Sequence, residues 1–416
     1  MDYYKMWLMK TRIPELKITD FDYELPSEAI AFKPLERRDG SKLMVVKNDS
    51  VEHSSYNQLS SFLSPNTHLV FNNTKVIAAR ILFTNKNKGA IEIFLLEPLD
   101  GNYETLHRKK NAIWKCLIGG AKKWKDNEIL NKEIDTAGQY VSIHATLIEK
   151  ASDYFIVSFT WDESSTFYEI IQAVGNTPLP PYIKREATED DITRYQTVYA
   201  KQDGSVAAPT AGLHFSNELL ANLDKNNIKR SFLTLHVGAG TFKPVTSPTI
   251  AEHEMHKEFF EVEIETIKSL VSKSYKIIPV GTTSLRTLES LYWIGLKLFH
   301  GKNKLEGMNK LDQWEHVELM ELKQPDFPTI FSFLIAEMET RSMNVLHGHT
   351  GICITPGYMF KVAQGLITNF HQPQSTLLFI IAAMLGNRWK NLYQTAIDEQ
   401  YRFLSYGDGM LIQMQD

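Results

Sequence analysis

Apolar and polar positions fall into two textures along the chain, with a third stretch that has neither period. An apolar run at 43–46 and the segment THLVF at 67–71 predict strands, the second closing on paired asparagines, Asn72 and Asn73, which read either as a turn or as amides that face a ligand. Between 76 and 162 the runs shorten. Residues 76–83, 91–96, 112–118, 140–148 and 154–161 predict strands punctuated by Gly, Asn and Lys turns, the pattern of a small closed or nearly closed barrel. Beyond 162 helix and strand alternate. Helices are predicted at 165–174, at 216–226 under a Ser216 cap, at 282–295 with Gly295 as C-cap, at 329–342, at 376–385 between Ser375 and Gly386, and at 389–402. Strands are predicted at 230–237, 277–280 and 352–354. The third texture is YQTVYAKQDGSVAAPTAGLHF at 195–215, where Gly204, Pro209 and Gly212 forbid a long regular element. Its alanines leave room for close approach, and Thr210 and His214 supply polar chemistry.

A length of 416 residues exceeds a comfortable single domain. The texture change predicts an α/β main domain, residues 16–76 and 162–416, with a variable insertion near 296–347 and an inserted small antiparallel β-barrel domain at 77–161. Net charge is 45 − 49 = −4, which excludes a protein basic throughout but allows a local basic patch. With Cys116 and Cys353 the only cysteines, there is neither a disulfide framework nor a cysteine-based zinc site, as suits a reducing compartment. The longest apolar run, 377–385, is nine residues and too short to span a bilayer, and the N-terminus lacks the apolar core of a signal peptide. A cytoplasmic protein with no membrane partner is expected.

Two stretches carry candidate chemistry. The apolar strand at 277–280 breaks at Gly281, and Thr282 or Thr283 opens a helix, which presents backbone N–H groups to an anion; Arg286, one turn on, could fork onto the same anion. Residues 105–125 hold no acid but carry Arg108, Lys109, Lys110, Lys115, Lys122, Lys123 and Lys125, interleaved with Trp114 and Trp124. Such a run is either a solvated hairpin or a surface that tracks phosphates while its tryptophans stack on bases. Gly238 and Gly240 imply close backbone approach after the strand at 230–237. His253 and His256 sit three apart without a third ligand in sight.

Nine blocks in register resemble the S-adenosylmethionine:tRNA ribosyltransferase-isomerase family of queuosine biosynthesis. They are FNNTKVIAARI, PLPPYIKR, the 195–215 stretch, LHVGAGTFKPV, HEMHKEFF, VGTTSLRTLES, PGYMF, GLITNFHQPQSTLL and YRFLSYGD, within a resemblance running from Phe21 to Leu411. The resemblance implies an α/β domain with an inserted β-barrel. It also implies a reaction in which S-adenosylmethionine, a cosubstrate, donates its ribosyl group to an aminomethyl-deazaguanine at the tRNA wobble position, so the partner is the anticodon arm. No prosthetic group and no metal are implied. A base must take a proton beside the sulfonium and an acid must help adenine leave. The motif residues suited to that work are His214, His371, Asp408, His236 and Glu289, with His253 and His256 also in motif blocks; His214 and His371 are expected to line one pocket with Asp408. Thr210, Gly281, Thr282, Thr283, Arg286, Asn369 and Tyr358 are the expected substrate-binding residues, and Lys109, Lys110, Lys122 and Lys123 the expected RNA contacts. Gln372, Gln374, Leu404 and Gly409 depart from the family's pattern, and the segment after Gly295 is about fifty residues longer than in its shorter members. Two alternatives stand beside the enzyme. One is a tRNA-binding paralogue without turnover, against which the polar motif residues stand intact. The other is a methyltransferase, against which no G-x-G-x-G loop is present.

Overall fold

The structure is a computed structural model that describes residues 13, 15–136, 139–162, 164–238, 245, 247–305 and 307–414. Gly240 lies outside these residues, as do the neighbouring positions 239 and 241–244 of the same motif.

Two sheets meet edge to edge in the main part of the molecule. A six-stranded sheet runs Lys276–Pro279, Thr67–Asn72, Lys229–Leu235, Glu258–Glu263, Val345–Thr350 and Asn309–Leu311, with the first three strands parallel. A four-stranded sheet runs Gly365–Asn369, Gly409–Gln413, Lys42–Lys47 and Ser50–Ser55. Their seam is a parallel bridge between Val280 and Ile367, closed by the Gly281 N–H donating to the Ile367 carbonyl at 2.8 Å. Every residue of Thr67–Asn72 is buried, the polar Thr67, His68 and Asn72 included, as in a strand covered on both faces, and Asn72 is the last strand residue rather than part of a turn. The seam matters because it sets the start of one helix, Thr282–Phe299, beside the end of the strand Gly365–Asn369.

That helix corrects one expectation. Gly295 is not its C-cap; the helix continues to Phe299 and Gly301, at φ +64°, follows its end. Gly295 is instead a packing notch. A Cβ there would sit 2.6 Å from the Ile330 side chain, on the helix Phe327–Thr340 that fills the expected insertion region. The strand expected at 352–354 is also absent, and Val345–Thr350 takes that place in the sheet. The helices under Ser216 and Ser375 form as expected, each hydroxyl accepting from the backbone N–H three residues on, Leu219 at 3.1 Å and Leu378 at 3.3 Å.

A third sheet is wholly antiparallel and seven-stranded: Gly175–Asn176, Arg80–Thr84, Ala90–Pro98, Asn111–Gly119, Phe155–Thr160, Gln139–Lys150 and Leu130–Thr136. Burial alternates along Asn111–Gly119, so Trp114 faces a separate apolar core with Ile93, Val157 and Phe159. Trp124 is buried in the same core, its indole N–H donating to the Glu128 carbonyl at 2.8 Å. Neither tryptophan is free to stack on a base, which removes the aromatic half of the expected RNA surface. The helix Phe167–Val174 adds Phe167, Ile170 and Ile171 to this core. No helix among the described residues is long and apolar enough to cross a membrane.

Candidate active site

Six segments far apart in sequence close around one pocket. The stretch at 207–211 forms one wall, and Gly281, Thr282 and Thr283 form the second. The third is built from residues 368–372 at the end of strand Gly365–Asn369, and Tyr182 with Leu404 and Ser405 completes the rim beside Val237. Among the described residues none of the lining side chains is an Asp, Glu, Lys or Arg. The polar groups these residues offer a ligand are hydroxyls, amides, an imidazole and backbone N–H groups. Leu404 adopts φ +71°, a left-handed conformation rarely taken by a bulky side chain, and its N–H donates to the Phe370 carbonyl at 3.0 Å.

Of the expected substrate residues, Thr210, Gly281, Thr282, Thr283 and Asn369 all line this pocket, as does His371. His371 Nε2 lies 2.8 Å from Thr368 Oγ1. Its backbone is held at both ends: the N–H donates to the Tyr393 hydroxyl at 3.2 Å, and the carbonyl accepts from the Tyr23 hydroxyl. Burial pushes the imidazole down to about 3, so it is neutral at pH 7.

His214 stands one layer behind. Its Nε2 accepts from Asn369 Nδ2 at 2.9 Å, which puts the ring proton on Nδ1, and Tyr56 stacks on it at a centroid distance of 4.3 Å. Burial, with Arg402 and Arg38 adding to it, lowers its pKa to about 3. Asp408 does not join the pocket wall. Its carboxylate accepts from the Lys42 and Arg402 backbone N–H groups at 2.9 and 2.8 Å, and only its backbone carbonyl reaches Asn369, at 3.4 Å. His236 faces the seven-stranded sheet instead, 2.8 Å from Thr74 Oγ1 and against the Tyr103 ring at 4.1 Å; burial lowers it to about 4.

Three further expectations are corrected by packing. Arg286 is buried and paired with Glu258, and its Nε–H donates to the Ile352 carbonyl at 3.3 Å, so it has no fork left for a ligand. Glu289 is buried away from the pocket and accepts from Tyr358 Oη at 2.7 Å and from the N–H groups of Lys361, Val362 and Ala363 at 2.9–3.0 Å. Burial raises its pKa despite those four donors. Tyr358 belongs to that cluster, also accepting from Trp293 Nε1 at 2.7 Å. Lys109, Lys110, Lys122 and Lys123 are exposed, but the two pairs flank the nine-residue strand Asn111–Gly119, roughly 26 Å apart at about 3.3 Å per residue.

The model of the family described as queuosine biosynthesis protein matches residues 18–412. The chain belongs to that family. Relatives named S-adenosylmethionine:tRNA ribosyltransferase-isomerase include a Halothermothrix orenii protein, 37% identical over 406 residues that cover 95% of this chain and all of that one. A Thermotoga maritima protein of the same name is 36% identical with the same coverage. A crystal structure of S-adenosylmethionine tRNA ribosyltransferase from Thermotoga maritima aligns at 28% identity over 94% of this chain and 99% of that one, with a TM-score of 0.45.

Two departures from the queuosine family's pattern fall on the pocket, where Gln372 and Leu404 are lining residues. Gly409 has a steric reason: a Cβ there would sit 2.1 Å from the Tyr56 hydroxyl, so glycine lets Tyr56 close over His214. Tyr182 is a lining residue outside the candidates the sequence offers. Its hydroxyl bonds Ser405 Oγ and accepts from the Ser405 N–H at 2.9 Å, and its signal was a lone tyrosine directly after the prolines of PLPPYIKR.

Proposed function

We infer that this chain is an S-adenosylmethionine:tRNA ribosyltransferase-isomerase of queuosine biosynthesis. It transfers the ribosyl moiety of S-adenosylmethionine to the 7-aminomethyl-7-deazaguanine base at the tRNA wobble position and isomerises it, giving epoxyqueuosine-tRNA, adenine and methionine. The observation that carries this reading is the convergence of six motif segments on one pocket, in a chain matching relatives of that name over nearly its whole length. His371 is the proposed general base. It is neutral at every physiological pH, and because its basicity is low, the sulfonium must supply much of the acidity of the carbon it attacks. Gly281, Thr282 and Thr283 hold the methionyl carboxylate at the helix start, where N–H groups lack intrahelical partners. Asn369, itself held by His214 from behind, orients Thr210.

The seven-stranded sheet is proposed as the inserted barrel domain. Its core includes residues of the helix Phe167–Val174 and its edge strand ends at Asn176, so the unit extends from 77 to 176 rather than stopping at 161. Lys109 with Lys110 and Lys122 with Lys123 are proposed as two separate phosphate contacts for the anticodon arm. The protein works in the cytoplasm, where its RNA substrate is.

The test is incubation with S-adenosylmethionine and tRNA carrying the aminomethyl-deazaguanine, followed by nucleoside mass spectrometry. Epoxyqueuosine with equimolar adenine is expected. Tight tRNA binding without adenine release would assign the chain to a binding role instead, and methylated tRNA would assign it to methyl transfer.

A further inference from the structure

Two side-chain amides, one in the pocket wall and one behind it, fix the direction of two hydroxyls that face the pocket. The first is Asn369. Its Nδ2 donates to the Asp408 carbonyl, which can only accept, and to His214 Nε2. That orientation leaves Oδ1 toward Thr210, whose Oγ1 lies 2.9 Å away and must donate its single proton there. Toward the pocket Thr210 then offers lone pairs alone. It is an obligate acceptor.

The second is Asn72, with the opposite result. Its Oδ1 accepts from the backbone N–H groups of Thr74 and Leu235, both at 3.1 Å, so its Nδ2 must be the donor to Thr283 Oγ1 at 3.3 Å. The Thr283 proton is thereby left free for a ligand. Beside it Thr282, 7% exposed and lining the pocket, makes no side-chain hydrogen bond within the described residues. The two ends are close: a Cβ built on Gly281 would lie 3.6 Å from Thr283 Oγ1 and 3.7 Å from the Cβ of Ala211, the residue after Thr210.

A pocket with one donor end, one acceptor end and, among the described residues, uncharged walls fits a group that carries both charges itself. We propose that it reads the α-amino acid end of the cosubstrate as a zwitterion, with Thr283 and the first-turn N–H groups on the carboxylate and Thr210 accepting from the ammonium. This rests on the reading of the pocket as the S-adenosylmethionine site and adds to it the group that Thr210 selects. A ligand with an acceptor in place of the ammonium would face lone pairs and be refused.

The experiment is calorimetric binding of S-adenosylmethionine, its analogue lacking the α-amino group and its decarboxylated analogue to the wild-type chain and to Thr210→Val, Thr210→Ser and Thr283→Val. The wild type should bind the deaminated analogue roughly 10- to 100-fold more weakly than S-adenosylmethionine, the loss of one charged hydrogen bond. Thr210→Val should weaken S-adenosylmethionine by a similar factor while leaving the deaminated analogue unchanged, and Thr210→Ser should restore the difference. Thr283→Val should show the same coupling with the decarboxylated analogue only. Equal wild-type affinity for S-adenosylmethionine and the deaminated analogue overturns the assignment even if a variant fails to fold. So does a Thr210→Val loss that is the same for both ligands. A wild-type chain that binds no S-adenosylmethionine at all overturns the functional reading itself.

Discussion

The guanidinium of Arg286 is closed onto the carboxylate of Glu258, one turn into the helix whose first residues face the pocket. Both side chains are almost fully buried, so the pair is part of the scaffold that holds the helix start against the neighbouring sheet. Removing one partner leaves the other charged and buried, which costs about 3–5 kcal/mol. Arg286→Ala is therefore expected to lower the urea midpoint sharply. An Arg286→Met, Glu258→Leu double variant should recover much of that loss. Unchanged stability together with lost S-adenosylmethionine binding would return Arg286 to the ligand site.

His371 and His214 should separate by function. His371→Ala is expected to cut adenine release by roughly 10²–10⁴-fold, the usual range for a general base, while S-adenosylmethionine still binds. His214→Ala acts through Asn369 on Thr210, so its effect should fall on cosubstrate affinity more than on the rate at saturation. Equal losses in the saturated rate for both variants would contradict the layered arrangement.

Five buried imidazoles set the acid limit of the fold. Burial lowers His68, His236 and His316 to about 4 and His214 and His371 to about 3, against about 6.5 in the unfolded chain. Each binds its proton more readily when unfolded, so its contribution is complete above pH 6.5 and is lost as pH falls toward the folded value. The melting temperature is expected to be flat between pH 7 and 8 and to fall steeply from pH 6 to 4. A melting temperature independent of pH across that window would show that these rings are not held neutral.

The lysine pairs are far enough apart to be tested singly. Charge reversal of Lys109 and Lys110, or of Lys122 and Lys123, should each flatten the salt dependence of tRNA binding by up to ~2 in slope, at about 0.7–0.9 per phosphate contact. The four changes together should sum the two effects. Unchanged affinity and slope in both double variants would move the RNA surface to the main domain.

How much of this was legible beforehand follows from the range of the interactions. The loops at 195–215, at Gly281–Thr283 and at Asn369–His371 announced themselves by composition, because turn formers beside polar groups have a local signature. The burial of Trp114 is legible in the sequence: Lys115 faces outward, and in a strand the neighbouring side chain must face in, which argues against a base-stacking tryptophan. Gly295 looked like a helix stop because nothing local shows Ile330 packed against it. The pairing of Arg286 with Glu258 and the clamp of Tyr23 on His371 join residues distant in sequence, for which a single chain carries no mark. The strand Val345–Thr350 carries no apolar alternation in its sequence, VLHGHT, because its inward positions are Leu346, Gly348 and Thr350.

The most direct measurement of the central claim is a crystal structure of this chain with S-adenosylmethionine bound. The account predicts the methionyl carboxylate at the Gly281–Thr283 helix start, the ammonium on Thr210 and the ribose within reach of His371. Cosubstrate density outside this pocket, for example beside Glu289 or against the seven-stranded sheet near His236, would contradict it.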